Sequence, residues 1–255
     1  MEPVLVHRAD GVVTVSINRP EKKNAATWAT WHALTATVRE VTETRTDRVL
    51  VITGEGADFC SGADLWAGEE ERPWLVNMRA LADCCLAIQR VPQPTIAKLR
   101  GVAVGAGANL ALACDLIVAS DTARFAEIFS KRGLSLDFGG SWFLPRRVPL
   151  HIAKELAFFA DILPATEMER LGLVNRVVPD GELDGFVDDW ARKLAKAPPL
   201  ALMQTKRLLD NSMTSTLEQA LFAEGAAQAA NFGTADTNEA LAAFSEKRDP
   251  VFRGE

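Results

Sequence analysis

Three short apolar runs, separated by helical segments, constrain this chain most. RVLVITG (48–54), PTIAKL (94–99) and DLIVAS (115–120) are too continuously apolar to be strands with one wet face. Strands buried on both faces occur where helices cover a mostly parallel sheet, so the pattern predicts crossover connections and an α/β class. Ahead of them, alternation around Asp10-Gly11 predicts a hairpin, and residues 27–43 carry the spacing of an amphipathic helix. After residue 145 the strand signal almost vanishes, leaving VNRVV (174–178) among successive helical stretches that end in one long Ala-rich run, 216–246. The chain therefore divides into a core, 1–195, and a helical extension, 196–255. No repeat at a solenoid period and no low-complexity linker marks a sharper boundary.

At 255 residues such a core buries roughly 70% of its unfolded surface. No apolar stretch reaches the ~18 residues of a membrane span, and the N-terminus lacks the regions of a signal peptide, so the expected setting is cytoplasmic, with no membrane partner. A net charge of −6 without a basic stripe argues against a nucleic-acid partner. Cys60, Cys84, Cys85 and Cys114 form no CxxC pair and have no histidine nearby, which predicts reduced, mostly buried thiols. His7, His32 and His151 are read as surface or packing residues. No metal site is expected.

Two glycine-bearing turns follow strands: FCSGADL (59–65) and RGVAVGAGANLALACD (100–115). Small residues let backbone approach a ligand, and the first N–H groups of a helix lack internal partners, so either turn can hold negative charge or simply connect a strand to a helix. GAGANL matches only part of a dinucleotide fingerprint, with Leu110 in the third glycine position, and is not read as one. A third stretch, KRGLSLDFGGSWF (131–143), sets Asp137 between Leu136 and Phe138. That acid either caps a helix or moves protons.

NRPEKKNA (18–25), LVITGEGADFCSGADL (50–65), IAKLRGVAVGAGANLALACDLIVAS (96–120), GLSLDFGGSWFLPR (133–146) and ERLGLVNRVVP (169–179) resemble, in order and spacing, the enoyl-CoA hydratase/isomerase family, the crotonases. The resemblance runs nearly the length of the chain and is nearest in motif to the phenylacetyl-type isomerases. It implies an α/β crotonase (ClpP/crotonase-like) spiral of ββα units with a C-terminal helical trimerisation region. It implies further a homotrimer or dimer of trimers, an acyl-CoA substrate, and no cofactor beyond the coenzyme A of that substrate.

By this resemblance the oxyanion donors are the N–H groups of Ala63 and Ala106, with Asp64 a structural neighbour. The two glutamates of the hydratases fall on Asn109 and Phe129, neither of which can take a proton. Asn109 can hydrogen-bond a ligand or serve as a polar contact at a helix start, and Phe129 can line a pocket. Glu127 is the nearest replacement acid, sharing a side with Phe129 only if that segment is a strand. Asp137 matches the catalytic aspartate of several isomerases in the family. Trp66, Trp74, Trp142 and Phe138 join Phe129 as acyl-pocket candidates, with a role as core aromatics equally open. Lys23 is a further substrate-binding candidate. Phe244 and Lys247, in AAFSEKRDPVF, match the aromatic and basic positions of a segment that covers the CoA adenine across a subunit boundary. The expected activity is isomerisation of a double bond or ring. The alternatives are a 2-enoyl-CoA hydratase with a non-standard acid and a non-catalytic acyl-CoA binder.

Overall fold

The computed structural model describes residues 2–65 and 73–255. Among the described residues nine strands lie in chain order as β1 (Val4–Ala9), β2 (Val12–Ile17), β3 (Val49–Gly54), β4 (Thr95–Leu99), β5 (Val102–Val104), β6 (Leu116–Ser120), β7 (Arg124–Ala126), β8 (Leu163–Pro164) and β9 (Arg176–Val178). The larger sheet runs β1-β2-β3-β4-β6-β9, parallel except for the β1–β2 hairpin, and the smaller runs β5-β7-β8. The continuous apolar runs are explained by burial on both sides. Leu50 and Ile52 of β3 join one core cluster, while Val49 and Val51 join the other beneath α7 (Leu183–Ala195), which contributes Leu183, Val187 and Ala191. Period-2 alternation thus separates two apolar faces rather than an apolar from a polar one.

The first helix, α1 (Trp28–Glu43), begins at Thr27, where the Thr27 and Thr30 side chains form a reciprocal capping box. Its buried face, Trp31, Leu34, Val38 and Val41, packs against Leu81, Cys84, Cys85 and Ile88 of α2 (Trp74–Arg90). Both sets recur at three and four residues. Two more helices follow the glycine turns: α3 (Ala106–Leu112) and α4 (Gly140–Arg147).

The core is a stack of ββα turns. β4 and β5 lead to α3, and β6 and β7 lead through the helical turn Ile128–Arg132 to α4. In the turn before them the second strand shrinks to Cys60, which bridges Ala103 through Cys60 N–H to Val102 O (2.9 Å) and Val104 N–H to Cys60 O (3.0 Å). This repeat has no sequence period, because each second strand has at most three residues.

Beyond α5 (Leu150–Phe159), α6 (Ala165–Arg170) and α8 (Pro199–Ser212), the Ala-rich run is two helices, α9 (Leu217–Phe232) and α10 (Ala235–Glu246). The expected single run breaks at Gly233-Thr234, where the Thr234 hydroxyl accepts from Thr237 N–H and starts a new helix. The chain end is pinned. Arg253 and Gly254 N–H groups donate to buried Asp236, and Arg48 donates to Arg253 O. All four cysteines are buried and free. Among the described residues no helix is long and apolar enough to cross a membrane.

Candidate active site

The loop after β3 is held from below by Arg19, whose guanidinium donates to Ala25 O (2.6 Å) and pairs with Asp64 (2.9 Å). Ala26 N–H donates to Gly62 O and Ala26 O accepts from Asp64 N–H, both at 2.8 Å. A parallel bridge of this form uses the groups on either side of Ala63 and turns its own N–H the other way. Gly62 has φ +95, and a Cβ on it would lie 2.9 Å from Val104 O, so the loop sits directly on the strand leading to Ala106. Ala106 is the first residue of α3, where an N–H has no intrahelical acceptor. Among the described residues neither the Ala63 nor the Ala106 N–H donates to a backbone carbonyl, and both residues line one cavity of about 360 Å³.

A second cavity of about 510 Å³ adjoins it, walled by Trp28, Trp31, Trp74, Met78, Leu81 and Leu136. The two share Ala63, Asp64, Leu65, Leu134 and Asp137, which form the neck between them. The larger is apolar and lies in the size range of small-molecule sites, while Lys22 and Arg132 stand at the smaller.

Asp137 does not cap α4 with its side chain. The N-cap is Gly139, at φ +79, with no side-chain bond, and Gly140 N–H donates instead to the main-chain O of Asp137 (2.9 Å). Oδ1 of Asp137 is buried and has no hydrogen-bond partner among the described residues. Burial without compensating donors disfavours the charged form and pushes this carboxyl up to about 6. A carboxylate poised there exchanges protons readily near neutral pH.

Behind it lies Glu127, only 1% exposed. β7 ends at Ala126, so strand alternation does not place this side chain beside Phe129; Glu127 instead precedes the helical turn and lines neither cavity. Burial, with a smaller contribution from the charge of Asp137, pushes its carboxyl up to about 8 against a hydrogen bond from Asn109. Asn109 is fully buried; its amide nitrogen donates to Glu127 Oε2 (3.3 Å) and to Asp137 O (3.0 Å). It touches neither cavity and ties the Asp137 loop to α3.

The remaining candidates separate by position. Phe129 lines the smaller cavity and Trp74 the larger. Phe138, at φ +44 and 3% exposed, lines neither; its ring lies 5.1 Å from that of Trp31, backing the wall from within the core. Trp142 projects from α4 under the Arg146 guanidinium, 4.0 Å away, outside both cavities. Lys23 lines neither, although its neighbour Lys22 lines the smaller. Phe244 is 87% exposed on α10, and Lys247 is the left-handed C-cap of that helix rather than part of its face, so the two do not form an i, i+3 helical pair. Trp66 lies outside the described residues. Sequence reasoning missed Trp28 and Trp31. Their signal was the i, i+3 spacing in TWATW immediately after a capping threonine.

Comparison with known proteins gives one family. The sequence profile described as Enoyl-CoA hydratase/isomerase matches residues 7–255. The 1,2-epoxyphenylacetyl-CoA isomerase of Escherichia coli K12 is 34% identical over 260 residues, covering 100% of this chain and 99% of that one. The crystal structure of an enoyl-CoA hydratase from Bacillus anthracis superposes with a TM-score of 0.95 at 32% identity, covering 99% of this chain and 100% of the other. A Thermobifida fusca structure solved in complex with CoA superposes at 0.85, with 33% identity, over 91% of this chain and 93% of that one. Hydratase names are commoner than isomerase names among such relatives.

Proposed function

The chain belongs to the enoyl-CoA hydratase/isomerase family, and we propose that within it this protein isomerises an acyl-CoA thioester, with Asp137 as the proton shuttle. It is a crotonase-fold acyl-CoA enzyme. In the proposed reaction the Asp137 carboxylate takes a proton from the α or γ carbon. The C–H electron pair moves into the thioester carbonyl as an enolate, while the Ala63 and Ala106 N–H groups donate to the oxygen that gains the charge. Asp137 then returns the proton to another carbon, so nothing is gained or lost. Preorganised donors of this kind supply ~3 kcal/mol each to the transition state. The apolar larger cavity would take the acyl group, and the smaller, with Lys22 and Arg132, the phosphate-bearing CoA arm. The relative solved with CoA supports that ligand class.

The observation that carries this reading is a carboxyl, single among the described residues, poised at the neck. The other carboxylate there, Asp64, is committed to Arg19, and no glutamate stands at 109 or 129 to handle water. Hydration by Asp137 through a non-standard route is the second reading, favoured by the names of the relatives. A panel of enoyl-CoA thioesters in D2O tests both. Isomerisation gives deuterium uptake with no water adduct, and Asp137→Asn lowers turnover ~100-fold or more with little change in acyl-CoA affinity. An unchanged turnover number in that variant refutes the shuttle, rapid hydration of crotonyl-CoA establishes the hydratase, and no turnover on any thioester leaves a binder.

The helices from 196 onward are proposed as the trimerisation region. Leu217, Leu221, Phe222 and Phe232 are exposed on α9 in the single chain, the surface another copy would cover. Sedimentation at a mass other than a multiple of three chains would refute this.

A further inference from the structure

Asn109, Glu127 and Asp137 form a buried polar group on which the proposed reaction uses only Asp137. Asp137 O is an acceptor only, so the 3.0 Å contact fixes Asn109 with its nitrogen facing that oxygen. The same nitrogen serves Glu127 Oε2. Asn109 Oδ1, Glu127 Oε1 and Asp137 Oδ1 are then three buried acceptor oxygens without a partner among the described residues. Buried acceptors require donors, and a proton on one of the carboxyls themselves would supply one. Gly140 closes the group, because a Cβ there would collide with the Asn109 amide.

We propose that Glu127 is a positioning residue that keeps a proton beneath the site, so that the negative charge of this buried group rests on Asp137 alone. The inference rests on the shuttle reading of Asp137. When Asp137 takes a proton, its charge passes to the enolate oxygen. An ionised Glu127 in the same low-dielectric volume raises the proton affinity of Asp137, which then holds the proton it has to return, and it also leaves the orphan oxygens without a donor.

The groups facing Glu127 set the pH window. From α3 comes Asn109, which does not titrate, and from the loop before α4 comes Asp137. Cys85 of α2 faces Asp137, with its thiol pushed up to about 11, and stays neutral below that. Lys22 and Arg132 reach only the smaller cavity. Turnover therefore rises as Asp137 ionises near 6 and falls as Glu127 ionises near 8.

The test is the turnover number against pH, from 5 to 9.5, for the wild type and for Glu127→Gln, with Glu127→Met as a second non-titrating variant should the first not fold. Wild type should lose about tenfold per pH unit on the alkaline side, as for a single ionisation. Either variant should keep the acid limb and lose the alkaline one, whereas a structural role would scale the whole profile down without changing its shape. A wild type with no alkaline limb, or a folded variant that retains it, overturns the inference. If Asp137→Asn leaves turnover unchanged, the shuttle reading fails. If that substitution abolishes turnover while the Glu127 variants keep the alkaline limb, only the role of Glu127 fails.

Discussion

Glu127 also makes the stability of the fold depend on pH, with a sign opposite to that of most carboxylates. Its carboxyl titrates at ~4.3 in an unfolded chain and is pushed up to about 8 in the fold, chiefly by burial. Between those values the folded state holds a proton that the unfolded state has lost, so stability falls as pH rises. The contribution is whole below ~4.3 and gone above about 8. Each pH unit in the window costs ~1.4 kcal/mol, so the full span is on the order of 5 kcal/mol, an upper bound because buried sites relax and admit water. Asp137, raised to about 6, acts with the same sign lower in the window. It is present in both wild type and Glu127→Gln, so the difference between them isolates Glu127. Urea unfolding of the two at pH 5, 6, 7 and 8, at one protein concentration, should show the glutamine variant gaining on wild type by ~3 to 4 kcal/mol across the series. A difference that stays flat with pH would mean that Glu127 titrates alike in both states and would refute the reasoning.

Two further outcomes follow from the placement of single groups. Ala106→Pro removes one of the two proposed oxyanion donors at a first helical position that accommodates proline, and should lower turnover by ~100- to 1,000-fold with CoA affinity kept; kinetics beside calorimetry reads both. Lys247→Ala should weaken free CoA binding by ~1 kcal/mol at low salt and less at high salt, if the exposed end of α10 reaches the ligand of another copy; equal affinities by calorimetry in the intact oligomer would rule that contact out.

The parts of the fold legible in the sequence are those with a period long enough to read. β3, β4 and β6 lie within a residue of the apolar runs that announce them, and Thr27 starts α1 where its helical spacing begins. β5 and β7, three residues each, carry no readable alternation, and the Cys60–Ala103 bridge is one residue long. Those small pieces build the second sheet and bring Ala63 against Ala106, so the site's geometry rests on the least legible elements. Order and spacing of motifs supplied them through family resemblance, where local propensity could not. The Gly233-Thr234 break between α9 and α10 was locally legible, since a threonine after glycine is a stop followed by a start, but the alanines on both sides mask it.

The chemistry of Asp137 depends on what its neighbours withhold. An aspartate ahead of a helix ordinarily accepts from the first-turn amides and is stabilised as the anion. Here Phe138 at φ +44 and Gly139 at φ +79 carry the chain through two left-handed residues, which places Gly140 N–H on the main-chain oxygen of Asp137. The turn is closed without the carboxylate. A side chain at 139 would strike Phe143 as well as strain the backbone, and one at 140 would strike Asn109, so both glycines are set by contact. Phe138 accepts an uncommon backbone for its size and in exchange packs on Trp31, the wall of the apolar cavity. The DFGGSW stretch thus acts as a device for leaving a carboxylate unbonded at the neck of two cavities, which is the condition under which burial, rather than a helix end, sets its proton affinity.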